Sequence, residues 1–186
     1  MSATPFQKQL PMYATSVRFV AAPVFFVVLL AENDWADILC ATLFIFASFT
    51  DWLDGYWARK FDALSTIGKF MDPIADKVLT LSALVVLLYL DRVDPVMVTF
   101  LISRDIFIGG IRSAAAADGL IIDAKSTGKV KTALQMLCIP CLFLEDIFPS
   151  LYLHEIGYYG LWFSVVLSFK SGWEYTRAYF NRRKEA

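Results

Sequence analysis

The stretch DWLDGYWARKFDALSTIGKFMDPIADK, residues 51–77, holds five carboxylates between two charge-free runs of thirteen residues, 38–50 and 78–90. Both flanks are apolar enough for lipid, and the middle is not. At 100° per residue, Asp51 and Asp54 lie about 60° apart on one helix face, and Asp72 and Asp76 about 40° apart on another. Asp62, Ser65 and Thr66 read as the turn between them, and Pro73 suits the first turn of the new helix. Helices joined by so short a connection are neighbours, so the four face aspartates can converge. Four unpaired anions would repel one another strongly in a partly dry site. A multivalent cation removes that difficulty, and oxygen-only ligands favour Mg²⁺ or Mn²⁺ over zinc. Such clusters usually serve phosphate chemistry, in which two ions clamp the attacking and leaving oxygens. Asp62, Lys60 and Lys69 read instead as a solvated loop.

Outward from this stretch the chain repeats the same pattern. It has 186 residues, enough for one domain over 1–186, and 58% of them are hydrophobic against 19% charged. A soluble domain is roughly 45–50% apolar and about 25% charged. The excess points to a polytopic membrane protein. The formal charge of -1 is close to neutral, and no basic surface for nucleic acid is evident. Further charge-free runs occupy 19–31, 132–144 and 156–169, with a shorter one at 95–103. None reaches the ~18 residues of a simple transmembrane helix. Their connections decide the matter. ENDWAD, DRVD and EDIFPSLYLHE are acidic and hold a single basic residue, Arg92, so sixteen of the seventeen Lys and Arg residues fall at the other ends. The positive-inside rule makes those ends cytoplasmic.

The expected architecture is an all-α integral-membrane bundle. Six transmembrane helices would run at about 16–33, 36–59, 70–90, 94–118, 126–146 and 155–180, with both termini inside the cell. Residues 5–15 would form a short interfacial helix within an N-terminal segment 1–15, and 181–186 a cytoplasmic tail. Each span is apolar in its outer half and polar in its inner half. Charges there are tolerable if they line a polar cavity open to the cytoplasm. Trp35, Trp52, Trp57 and Trp173 fall near the predicted interfaces. Cys40, Cys138 and Cys141 all lie in apolar runs and read as packing residues rather than a metal or redox pair. His154 lies on the outer side and is assigned no role.

Asp51-x2-Asp54-Gly55-x2-Ala58-Arg59-x8-Gly68-x3-Asp72-x3-Asp76 resembles the complete signature of the CDP-alcohol phosphotransferases. That resemblance implies a six-spanning, typically homodimeric enzyme of the cell membrane that moves a phosphatidyl-type group from a CDP-linked lipid to an alcohol and releases CMP. PMYATSVR at 11–18 and SRDIFIGGIRSAAAADGLIIDAKSTGKVKTALQM at 103–136 are similar to the phosphatidylglycerolphosphate-forming branch. Met12 stands where that branch usually carries Asn, and Asp105 where it usually carries Glu.

The resemblance implies CDP-diacylglycerol and glycerol 3-phosphate as substrates. Asp51, Asp54, Asp72 and Asp76 would hold two divalent ions, with Asp76 also the general base for the acceptor hydroxyl. Gly55, Ala58, Arg59 and Gly68 would receive the CDP-lipid. Arg104, Arg112 and Lys129 match the acceptor-phosphate positions. Arg104 and Arg112, eight apart on one span, are costly at membrane depth without an anion, although Asp105, Asp118 and Asp123 are local acids that can pair with them. Lys131 reads as a snorkelling side chain. Two alternatives stand beside this: another member of the same family, of the phosphatidylinositol-phosphate type, and an ion-coupled transporter. The transporter would call for two matching charged halves, and the sequence contains no such repeat.

Overall fold

The computed structural model describes residues 20–28, 33–61, 66–120 and 126–185; within them the side chains of 51–73, 76, 126 and 184–185 lie outside the description. Among the described residues the chain is all helix and turn. A first helix, α1, covers 20–28. It is followed by α2 (Asp34–Phe61), α3 (Thr66–Tyr89), α4 (Pro95–Ala117), α5 (Ser126–Phe143) and α6 (Leu153–Glu185), with a 3₁₀ turn at Pro149–Leu151 before the last. Helices α2 to α6 lie where helices were expected, with ends shifted by up to about five residues, and α1 lies within the expected 16–33. The expected interfacial helix at 5–15 lies outside the described residues. The expected tail is a continuation of α6 as far as Glu185.

Local chemistry sets the ends. Asn33 Oδ1 accepts from the Ala36 amide at 3.0 Å and starts α2. Asp94 does the same for Met97 at 2.8 Å, with Pro95 at the first helical position of α4. Helix α4 ends where Gly119 takes φ +69°. The amides of Leu120 and Gly119 return to the carbonyls of Ala115 (2.8 Å) and Ala116 (3.1 Å), closing a Schellman turn. Pro73 departs from expectation. Helix α3 begins at Thr66, so Pro73 lies inside it rather than in its first turn. The helix runs through a residue without an amide donor, as α5 also does at Pro140.

Helices α5 and α6 meet most closely. A Cβ on Gly157 would lie 2.5 Å from Leu142 Cγ, and one on Gly160 only 2.3 Å from Cys138 Sγ. Residue 142 facing 157 and 138 facing 160 make the pair antiparallel. Helix α4 runs parallel to α6, since Arg104 meets Ser168 and Ser171, Arg112 meets Tyr175, and Asp118 meets Tyr179. The core between the helices includes Phe44, Leu87, Met97, Ile139 and Leu161, with Phe25 and Phe143 stacked at 6.1 Å. Cys40 and Cys138 are buried free thiols, as the apolar-packing reading expects.

Arg92 fastens one end of the bundle. It is 8% exposed, and its guanidinium meets Asp37 at 2.7 Å, Asp146 at 2.5 Å and Glu145 at 3.5 Å. It also donates to the carbonyls of Leu142 and Phe143, both at 3.2 Å, capping the open end of α5. The exposed His154 contacts Glu145 at 2.8 Å through Nδ1. The start of α2, the α3–α4 turn and the end of α5 are thus held by one planar cation. Six membrane-crossing helices were expected, but no helix among the described residues is long and apolar enough to cross a membrane.

Candidate active site

The far end of the bundle from Arg92 carries the aspartates. Asp51, Asp54, Gly55, Ala58 and Arg59 all lie in the last three turns of α2. Gly68, Asp72 and Asp76 lie in the first three turns of α3. Only 62–65 separate the two helices, which pack against each other. The backbone therefore gives both Asp-x2-Asp and Asp-x3-Asp the helical spacing that puts each pair on one face. The side chains of these eight residues, and Asp62 and Ser65 in the connection, lie outside the described residues. Among the described residues no group of three or more His, Cys, Asp or Glu side chains can hold a metal ion. The donor set that remains, four carboxylates on two adjoining helix ends, has the hard-oxygen chemistry of a Mg²⁺ or Mn²⁺ site.

Beside this end, α4, α5 and α6 contribute a charged network. Arg104 donates from Nε to the Ser168 carbonyl at 2.8 Å and from a terminal nitrogen to Asp105 Oδ1 at 3.0 Å; its other terminal nitrogen bonds Ser171 Oγ. Lys131 Nζ pairs with the same Asp105 oxygen. Lys77 Nζ donates to the Asp105 backbone carbonyl at 2.9 Å. Asp105 therefore gathers cations from α3, α4 and α5.

The expected snorkelling of Lys131 does not occur. It is buried, because Asp105 supplies an anion inside the bundle that makes the interior position tolerable. Arg112 is exposed, two turns and about 12 Å along α4 from Arg104. Its guanidinium carbon stands 5.4 Å from the centre of the Tyr175 ring. Lys129 is exposed, two residues before Lys131. Of the local acids, Asp105 does pair with Arg104, whereas Asp118 accepts from Tyr179 at 2.8 Å and faces Arg183 at 3.8 Å. Asp123 lies outside the described residues.

The structure thus brings Arg104 together with Asp105, Lys131 and Lys77, and leaves Arg112 and Lys129 exposed. Sequence reasoning missed Lys77 and Ser171. Lys77 was legible only as a cation beside Asp76; its partner on α4 is 28 positions away.

A profile of the CDP-alcohol phosphatidyltransferase family matches residues 8–170. The chain is similar to a Bacillus subtilis protein named CDP-diacylglycerol–glycerol-3-phosphate 3-phosphatidyltransferase, with 36% identity over 178 residues covering 89% of this chain and 92% of the relative. A Rickettsia felis protein of the same name is 35% identical over 172 residues, covering 92% and 95%. One from Pectobacterium atrosepticum is 33% identical over 176 residues, also covering 92% and 95%.

Proposed function

The chain belongs to the CDP-alcohol phosphatidyltransferase family, and from that premise we propose that it transfers the phosphatidyl group of CDP-diacylglycerol to glycerol 3-phosphate, giving phosphatidylglycerol phosphate and CMP. The observation that carries this reading is near full-length similarity to relatives named for that reaction, together with the whole family signature on two adjoining helix ends.

The acceptor hydroxyl attacks the lipid-side phosphorus, a new P–O bond forms, and the bond to the CMP oxygen breaks with its electron pair leaving on CMP. Asp76 takes the hydroxyl proton; a carboxylate within hydrogen-bond reach suffices for that step. Asp51, Asp54, Asp72 and Asp76 would hold two Mg²⁺ or Mn²⁺ ions, whose chemistry when bound would be to offset charge developing on the pyrophosphate. Gly55, Ala58 and Gly68 leave room for the cytidine, and Arg59 binds a phosphate oxygen. Arg112 and Lys129 take the acceptor phosphate. Arg104, with a donor on each of its three nitrogens already engaged by Ser168, Asp105 and Ser171, contributes its charge and its remaining N–H groups from behind.

Arg112→Ala should raise the apparent constant for glycerol 3-phosphate about 10- to 150-fold, the equivalent of about 1.5–3 kcal/mol for one charge-assisted contact. The constant for CDP-diacylglycerol should stay near the parent's. Unphosphorylated glycerol should be a poor acceptor. Equal impairment of both substrates in folded protein, or glycerol working as well as its phosphate, overturns the assignment. A phosphorylated cyclitol outperforming glycerol 3-phosphate moves the chain to the other branch of the family.

The membrane setting is part of the proposal: a multi-pass homodimer in the cell membrane, its polar cavity and both termini facing the cytoplasm. The surface supports it. Phe46 (60%), Phe163 (55%) and Trp173 (72%) are exposed, while Lys131, Gln135, Ser164 and Ser168 are buried. That inversion suits a lipid surround better than water. In a background without native cysteines, Asp34→Cys and Ser150→Cys should label with an impermeant maleimide from outside intact cells. Labelling only after the membrane is broken would reverse the orientation.

A further inference from the structure

Lys77 follows directly on Asp76 in α3, and its ammonium leaves its own helix. It lies on α4, 2.9 Å from the Asp105 carbonyl oxygen. Within α4 that carbonyl is the acceptor for the amide of residue 109, four positions on. A carbonyl has two lone pairs; the second is open to Lys77 because residue 109 is glycine. A Cβ built on Gly109 would lie 2.5 Å from Lys77 Nζ and 3.9 Å from its Cε. The ammonium therefore occupies the place where any other residue would carry a side chain.

We infer that the Lys77 ammonium, docked in the notch at Gly109, is a positioning device that fixes the rotation of α3 and with it the place of Asp76. Neighbouring residues on a helix are separated by about 100°, so holding Lys77 against α4 sets where position 76 falls around the axis of α3. The anchor is itself held. The Asp105 carboxylate binds Arg104 and Lys131, and Arg104 binds Ser168 and Ser171 of α6. The rotation of α3 is thus referred to three other helices. The inference rests on Asp76 acting in the reaction.

The test uses the full-length protein and three variants. Gly109→Ala should fold as well as the parent, since alanine is the better helix former and the displaced atom is the end of a flexible side chain. Its thermal midpoint should equal or exceed the parent's. Its kcat should fall on the order of 10- to 100-fold, as small misplacements of a reacting group do, with the apparent constant for CDP-diacylglycerol little changed. Lys77→Met should lose at least as much, and the double variant should be no worse than Lys77→Met alone, because the contact that Gly109→Ala displaces is already gone there. A parental kcat in Gly109→Ala, with Asp76→Asn inactive, overturns the inference and leaves the reading of Asp76 standing. So do losses that multiply in the double variant. Parental turnover in Asp76→Asn overturns the reading of Asp76 instead.

Discussion

Asp76→Asn should reduce turnover by about 10²–10⁴-fold, the range for loss of a positioned general base, while keeping much of the affinity for CDP-diacylglycerol. The amide is nearly isosteric with the carboxylate, so the helix and its packing persist, but it cannot accept the hydroxyl proton. Asp54→Asn and Asp72→Asn should fail differently. They remove charge from the proposed metal site, so part of their loss should be recovered by raising Mg²⁺ or Mn²⁺. The loss in Asp76→Asn should resist such rescue more than theirs. Initial rates of CMP release across a metal titration separate the two behaviours. Near-parental turnover in Asp76→Asn removes it as the base.

The second large effect lies at the opposite end of the molecule and concerns stability. Arg92→Met should destabilise the protein by about 3–5 kcal/mol, the cost of removing one partner from a buried ion pair. Methionine keeps much of the stem volume. It leaves Asp37, Glu145 and Asp146 without the guanidinium between them, and it leaves the carbonyls of Leu142 and Phe143 without their donor. Lysine at 92 should recover part of the loss. Its compact charge can meet one carboxylate but cannot reproduce the planar fork that reaches three acidic side chains and a helix end. The end of α3 at Tyr89, just before Arg92, is about 20 Å along the helix from Asp76, so turnover per folded molecule should stay near the parent's at low temperature. Unfolding of Arg92→Met at the parental midpoint would show that the Arg92 ion-pair cluster contributes little.

The helices were legible because apolar runs and charged connections alternate along the whole chain. Boundaries came within a few residues for α2 to α5, where Asn33 and Asp94 mark starts and Gly119 marks an end. Pro73 misled because a proline preference for the first turn is local, whereas α3 had already begun at Thr66. Arg92 stood out as the lone cation among acidic turns, yet its simultaneous hold on residues 37, 145 and 146 is a tertiary fact with no local signature. The same holds for Lys131. Its charge suggested the surface, and only the packing of α4 against α5 brings Asp105 inside to meet it. The spacing of Asp51, Asp54, Asp72 and Asp76 was readable because helical periodicity converts sequence interval directly into a shared face. The Gly109 notch was not, because it depends on which helix lies opposite.

The central claim is tested most directly by incubating the purified full-length protein with radiolabelled CDP-diacylglycerol and measuring CMP together with the lipid product, with and without glycerol 3-phosphate and with and without a chelator. The account predicts that CMP and phosphatidylglycerol phosphate appear in equal amounts, only when glycerol 3-phosphate is present, and that both vanish on chelation and return with Mg²⁺ or Mn²⁺. CMP release that ignores the acceptor, or transfer that persists in full without a divalent ion, would contradict it.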